Sequence, residues 1–191
     1  TAIIIAALFN LAGAATGLAV AKTIGKNILI PEAISYETVI AGLAAVVIWG
    51  GAATYLGLPV SITHSFVAGL AAAGIAVVGP EAIQWSVMQR VLSSVVAAPV
   101  LGFIGGFALM VGMLWLFRRM APDKMRVIFS RLQWLTTAFL SYSHGKNDGQ
   151  MPIGVITMAL VIYTGQAALW DNVPLWVILV SAFAISSGTA I

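Results

Sequence analysis

Long apolar runs separated by short polar stretches set the layout of this chain. Thr1 to Ala21 (TAIIIAALFNLAGAATGLAVA) is a 21-residue run in which Asn10 and Thr16 are the only interior polar side chains. About 20 apolar residues in a helix cross the hydrocarbon core of a bilayer, so this run predicts a span. Its small residues Ala12, Gly13, Ala14, Ala15 and Gly17 predict close helix packing. Lys22 to Glu37 is a polar connector holding Pro31, and Thr38 to Gly57 predicts a second span. Ser65 to Gly79 resumes a helical apolar pattern, but 15 residues are short for a crossing, which leaves open whether it spans or re-enters. After a loop at Gly79 to Ser86, the 31 residues from Val87 to Phe117 would reach about 46 Å as a helix against a core of about 30 Å. That run must tilt, kink at Pro99 or rise into the headgroups. Leu132 to Leu140 and Ile153 to Leu169 flank a polar interruption and predict one broken span; Asp171, Asn172 and Pro174 form a loop, and Leu175 to Ile191 opens a last span.

Composition turns this pattern into a fold class. The 191 residues are 61% hydrophobic and 8% charged, with mean hydropathy +1.04, whereas soluble domains carry about 25% charged residues. The expectation is an all-α, polytopic membrane protein. Five of the nine basic residues lie between Arg118 and Arg131, opposed there only by Asp123, which predicts a cytoplasmic loop by the positive-inside rule. The net charge of +3 therefore reflects loop placement, and no basic patch interleaved with stacking aromatics points to nucleic acid. Absence of cysteine excludes disulfides, thiolate catalysis and Cys-ligated metals. Apolar sequence at Thr1, without a basic leader, and again at Ile191 predicts an internal piece of a longer protein.

Chemistry concentrates in two polar islands, Leu58 to Ser65 (LPVSITHS) and Ser141 to Pro152 (SYSHGKNDGQMP). In the first, Pro59 interrupts helix, and the hydroxyls of Ser61 and Thr63 stand where they would cap the helix that follows. A helix starting at membrane depth aims unpaired N–H donors and its positive dipole end at the space before it, an anion site of the kind found at broken transporter helices. A tight surface turn is the alternative on spacing alone. The second island alone combines an acid, an amide, a histidine and a lysine between apolar flanks, and Pro152 suits the first position of a helix there. His64 and His144, with scattered carboxylates and no cysteine, make no metal site of recognisable spacing.

The islands resemble the Pit family of inorganic phosphate transporters. Its G-x-N-D element matches Gly145, Lys146, Asn147 and Asp148, preceded by Ser143 and His144; its P-V-S-x-T-H element matches Pro59 to His64. Gly149, Gln150, Ile153 and Gly154 look like the bacterial branch, and the similarity covers essentially the whole chain. Lys146 departs from the usual small or uncharged residue, and Met151 and Pro152 stand where Lys and Gly are expected. The resemblance implies inverted repeats, with residues 1–117 as the C-terminal part of the first, 118–131 as a cytoplasmic linker loop and 132–191 as the N-terminal part of the second. Each repeat then contributes one motif here.

What the resemblance further implies is secondary active transport of inorganic phosphate coupled to Na⁺ or H⁺, in a multi-pass protein of the inner (plasma) membrane. Ser61, Thr63, His64, Ser143 and Asn147 would bind phosphate; Asp148, Asn147 and Thr63 would take the coupling ion or proton. No enzyme activity, cofactor or resident metal is implied; the partners are inorganic phosphate and the lipid bilayer, with a homodimer left open. Transport or conduction of another small ion, such as sulfate or a metal cation, is the alternative, though sulfate has no proton to offer an acceptor carboxylate. An intramembrane hydrolase using Ser143, His144 and Asp148 is disfavoured because adjacent residues point apart. A purely structural scaffold would leave Asp148 unexplained.

Overall fold

The structure is a computed structural model that describes residues 2–190. Eight α-helices carry it: α1 (Ala2–Ala15), α2 (Ala19–Lys26), α3 (Tyr36–Tyr55), α4 (Ile62–Val78), α5 (Trp85–Phe117), α6 (Pro122–Asp148), α7 (Gln150–Thr164) and α8 (Leu175–Ala190). The fold is all-α, and α3 and α5 are each long and apolar enough to cross a membrane.

The run expected as a first span is broken. Gly17 adopts φ +86°, a conformation that glycine takes without the steric cost other residues meet, and α1 bends by 62° into α2. The first turns of the expected connector, Lys22 to Lys26, are consequently helical. Two further expectations change in the same direction. Residues 122–131, expected as loop, form the first turns of α6, for which Pro122 at the first position and Asp123 in the first turn are suitable openers. The polar island stays helical through Asp148, so α6 breaks only at Gly149, and Pro152 lies in the third position of α7 and not the first. Its missing N–H still falls among the four that a helix start leaves unpaired.

The two broken helices lie side by side. α1 packs along α6 and α8, and α2 packs along α7. The register is parallel: Gly145 sits against Asn10, Gly149 against Ala14, and Gly154 against Ala21. A Cβ on Gly145 would meet the backbone oxygen of Asn10, and one on Gly13 the backbone oxygen of Tyr142. Small residues at this crossing thus bring the two backbones into direct contact, as helices in lipid require when no hydrophobic drive joins them.

Gln150, 1% exposed, joins the two breaks. Its Oε1 accepts from the backbone N–H of Val20 at 3.0 Å and of Ala21 at 3.4 Å, while its Nε2 donates to the Thr16 carbonyl at 3.1 Å. One buried amide on α7 therefore satisfies the end of α1 and the beginning of α2, groups that a broken helix would otherwise leave unpaired.

α3 and α4 form a hairpin against this assembly. Ser35 opens α3 with a capping box shared with Thr38. The loops around Pro31–Ala33 and Pro80–Ala82, each one turn of 3₁₀ helix, pair through a single antiparallel bridge between Leu29 and Ile83. Ile28, Leu29, Phe66, Leu70 and Met158 are buried around them as the core. α5 behaves differently: apart from Val87 and Met88 its residues are exposed or half-buried. On the surface, Lys22 pairs with Asp171 at 3.0 Å. The ammonium holds the Asp171 carboxyl below its usual range, first by hydrogen bond and then by charge, so the pair contributes at neutral pH and fades as pH falls through that lowered value.

Candidate functional site

Both polar islands arrive at one cavity of ≈ 540 Å³, lined among others by Ser61, Ile62, Thr63, His144, Asp148, Met151 and Pro152. The first island supplies the start of α4. Ser61 is extended (φ −110°, ψ 112°) and its Oγ accepts from the backbone N–H of His64 at 3.3 Å, an N-cap. The N–H groups of Ile62 and Thr63 precede any intrahelical partner, so the positive end of α4 opens on the cavity. The first turn of α7, with Met151 and Pro152, lines it as well.

The second island supplies the acid. His144 and Asp148 are one turn apart on α6 and share a face, with Nε2 and Oδ2 3.3 Å apart and both side chains about half exposed (50% and 49%). Thr63 of α4 donates its hydroxyl hydrogen to Asp148 Oδ1 at 3.3 Å, which ties the two islands together directly. On the side away from the cavity, His144 Nδ1 lies 2.7 Å from Asn10 Oδ1, and Asn10 Nδ2 donates to Thr189 Oγ1 of α8 at 3.2 Å. A continuous chain of polar contacts thus runs Thr63, Asp148, His144, Asn10, Thr189 across α4, α6, α1 and α8.

The residues expected at the site divide accordingly. Ser61, Thr63 and Asp148 line the cavity together, as does His144, which the sequence offered only as an alternative catalytic group. His64 faces a neighbouring cavity of ≈ 530 Å³ with Trp49 and Ala68, and its Nδ1 holds Ser61 Oγ at 2.8 Å. Ser143 and Asn147 do not line the main cavity, because each precedes its cavity-facing neighbour by one residue and is turned about 100° around α6. Asn10, Thr189 and Gln150 are the polar residues that sequence reasoning did not assign. Asn10 and Gln150 left a trace, as amides within or beside apolar runs, but their partners lie 134 and about as many residues away.

Broken helices whose ends converge on a cavity inside an apolar, all-helical membrane fold are an arrangement that secondary transporters also use. The chain belongs to the phosphate transporter family, whose sequence pattern matches residues 1–191. It is 35% identical over 192 residues to a probable low-affinity inorganic phosphate transporter of Bacillus subtilis (strain 168), covering 100% of this chain and 57% of that protein. It is 34% identical to a protein of the same description from Mycobacterium leprae, covering 98% of this chain and 46% of the relative. The chain spans about half the length of these curated relatives. Among solved structures, one described as the sodium-dependent phosphate transporter shares the fold with a TM-score of 0.78 at 22% identity, covering 99% of this chain and 65% of that one.

Proposed function

We propose that this chain carries much of the site for secondary active transport of inorganic phosphate, in a multi-pass protein of the plasma membrane, driven by Na⁺ or H⁺. The observation that carries this reading is the Thr63–Asp148 contact, which joins the two motifs at a cavity faced by the starts of α4 and α7. Helix N-termini and hydroxyls suit phosphate oxygens. A carboxylate repels an anion unless a cation or a P–OH hydrogen stands between them, which makes Asp148 the group that answers to the coupling ion. Vesicles containing the intact protein are expected to accumulate labelled phosphate only under an imposed Na⁺ or H⁺ gradient. Saturable uptake of sulfate or of a metal cation, with none of phosphate, would overturn the assignment.

Ser61→Ala is expected to weaken phosphate uptake about tenfold to a hundredfold, the range of one hydrogen bond to a charged ligand. Loss of the α4 cap contributes to the same effect, so Ser61→Asn, which caps as well, separates the two: uptake that Asn restores in full would assign Ser61 to capping alone.

The basic stretch Arg118 to Arg131 is expected on the cytoplasmic side. A cysteine replacing Lys124, in this cysteine-free chain, should resist an impermeant thiol reagent added outside intact cells. Ready labelling from outside would reverse the orientation.

A further inference from the structure

We propose that the groove between α2 and the start of α5 holds a phospholipid, with its phosphodiester on Arg90 and Asn27 and an acyl chain lying over Val91 between α4 and α5. The groove is a cavity of ≈ 320 Å³ lined by Thr23 and Asn27 at the end of α2 and by Val87, Arg90, Val91 and Ser94 of α5. Those four α5 positions recur at helical spacing and share one face. Thr23 Oγ1 donates to the Ala19 carbonyl at 2.9 Å and Ser94 Oγ to the Val91 carbonyl at 2.6 Å, so both hydroxyl hydrogens are spent on their own helices. Arg90 differs. Its Nε–H donates to the Ser86 carbonyl at 3.3 Å, while its Nη groups have no acceptor and the residue is in no ion pair among the described residues. At Asn27 the backbone N–H bonds the Thr23 carbonyl, and the side-chain amide has no partner among the described residues. A cation and an amide whose donors are open suit the unesterified oxygens of a phosphodiester. Lys26, in the last turn of α2, offsets the negative end that a helix C-terminus presents there.

The place of Arg90 along α5 selects a lipid over a dissolved anion. α5 carries a tryptophan and an arginine towards each end: Trp85 with Arg90, and Trp115 with Arg118, whose guanidinium lies 3.9 Å from the Trp115 ring centre. Such residues mark the two membrane interfaces. Arg90 and Arg118 are separated by about 42 Å of helix, against about 40–45 Å for a bilayer with its headgroup regions, and no charged residue stands between them. Arg90 therefore reaches the level of the lipid phosphates in the leaflet opposite Arg118. Beside the groove, Val91 also borders an apolar cavity of ≈ 350 Å³ between α4 and α5, with Val67, Ala71, Met88 and Leu92. That cavity accepts a hydrocarbon chain and offers a soluble anion nothing. A guanidinium that only anchors α5 in interfacial water would hold no particular lipid.

The test uses the intact protein, delipidated in detergent, and reads adducts by native mass spectrometry with dioleoylphosphatidylglycerol, dioleoylglycerol and inorganic phosphate as probes. Phosphatidylglycerol is expected to bind, with an affinity that Arg90→Gln lowers about tenfold to a hundredfold, the range of a hydrogen bond to a charged group, and that Arg90→Lys largely retains. Dioleoylglycerol has the same tails without the phosphate, and inorganic phosphate has no tails; neither should displace the phospholipid at equal concentration. Arg90 is exposed, so Arg90→Gln should leave the thermal midpoint of the lipid-free protein unchanged, which separates lost binding from lost fold. Arg119→Gln, which removes the same charge just beyond the other end of α5, is the control. Equal phosphatidylglycerol binding by the wild type and Arg90→Gln would overturn the site, and so would an equal loss in Arg119→Gln, which would reduce the effect to overall charge. Displacement by inorganic phosphate would make the groove a site for a soluble anion, and displacement by dioleoylglycerol would make it an apolar contact; either overturns the lipid assignment. A wild type that takes up no phosphatidylglycerol would overturn it as well, with the groove then closed by the protein itself.

Discussion

Asp148→Asn in the intact protein is expected to abolish gradient-driven accumulation of phosphate. The substitution keeps shape and removes charge, in a cavity where Thr63 and His144 are the carboxylate's protein partners. An attraction between unit charges at contact distance in a partly screened site is worth about 3 kcal/mol or more, which is about a hundredfold in rate or affinity. Asparagine can still accept from Thr63 and donate to His144, so the fold at the α4–α6 contact should survive. The measurement is concentrative uptake alongside exchange of labelled for unlabelled phosphate. Loss of accumulation with exchange partly retained assigns Asp148 to the coupling ion. Accumulation at near wild-type rate would leave Asp148 a structural tie between helices.

The second large effect is on assembly. Gly145→Ala places a Cβ against the backbone oxygen of Asn10, where neither helix has a flexible side chain to give way. Overpacking usually costs about 1–3 kcal/mol, and two opposed backbones put this site at the upper end. Separation of α1 from α6 would also pull Asn10 from His144. Gly102→Ala, on α5, is the matched control: its Cβ meets nothing, and alanine favours helix by up to about 1 kcal/mol. Thermal unfolding of the detergent-solubilised protein should show a lower midpoint for Gly145→Ala and an unchanged or higher one for Gly102→Ala. Equal midpoints would mean that the crossing is looser than its geometry indicates. The glycine of the G-x-N-D element is thus explained by the approach of α1 and not by the ligand.

How much of this was legible in the sequence depended on the range of the cause. The polar islands stood out because ionisable groups amid apolar residues are costly unless used. Ser61 as a cap was legible because capping is local, spanning three residues. Secondary structure inside the polar stretches is less legible for a physical reason: polarity does not imply irregularity, and residues 122–148 are helical throughout. Arg and Lys are good helix formers, so nothing in residues 122–131 resists the helix. His144 and Asp148 belong on one helical face by their spacing, and the run that holds them continues α6 and does not interrupt it. The α1 bend was marked by Gly17, which the sequence offered only as a packing residue. The roles of Asn10 and Thr189, 179 residues apart, follow from tertiary register alone.

Gln150 gives the paired breaks a mechanical character. Its amide accepts from Val20 N–H on one side of the α1–α2 bend and donates to the Thr16 carbonyl on the other, while standing one residue beyond the α6–α7 break. Straightening the α1–α2 bend would strip a buried amide of partners, and each one lost costs about 1–3 kcal/mol. Gly17, at φ +86°, and Gly149, at φ −66°, stand at the two breaks that this one amide joins, and the Asp148 carboxylate sits immediately beside the second.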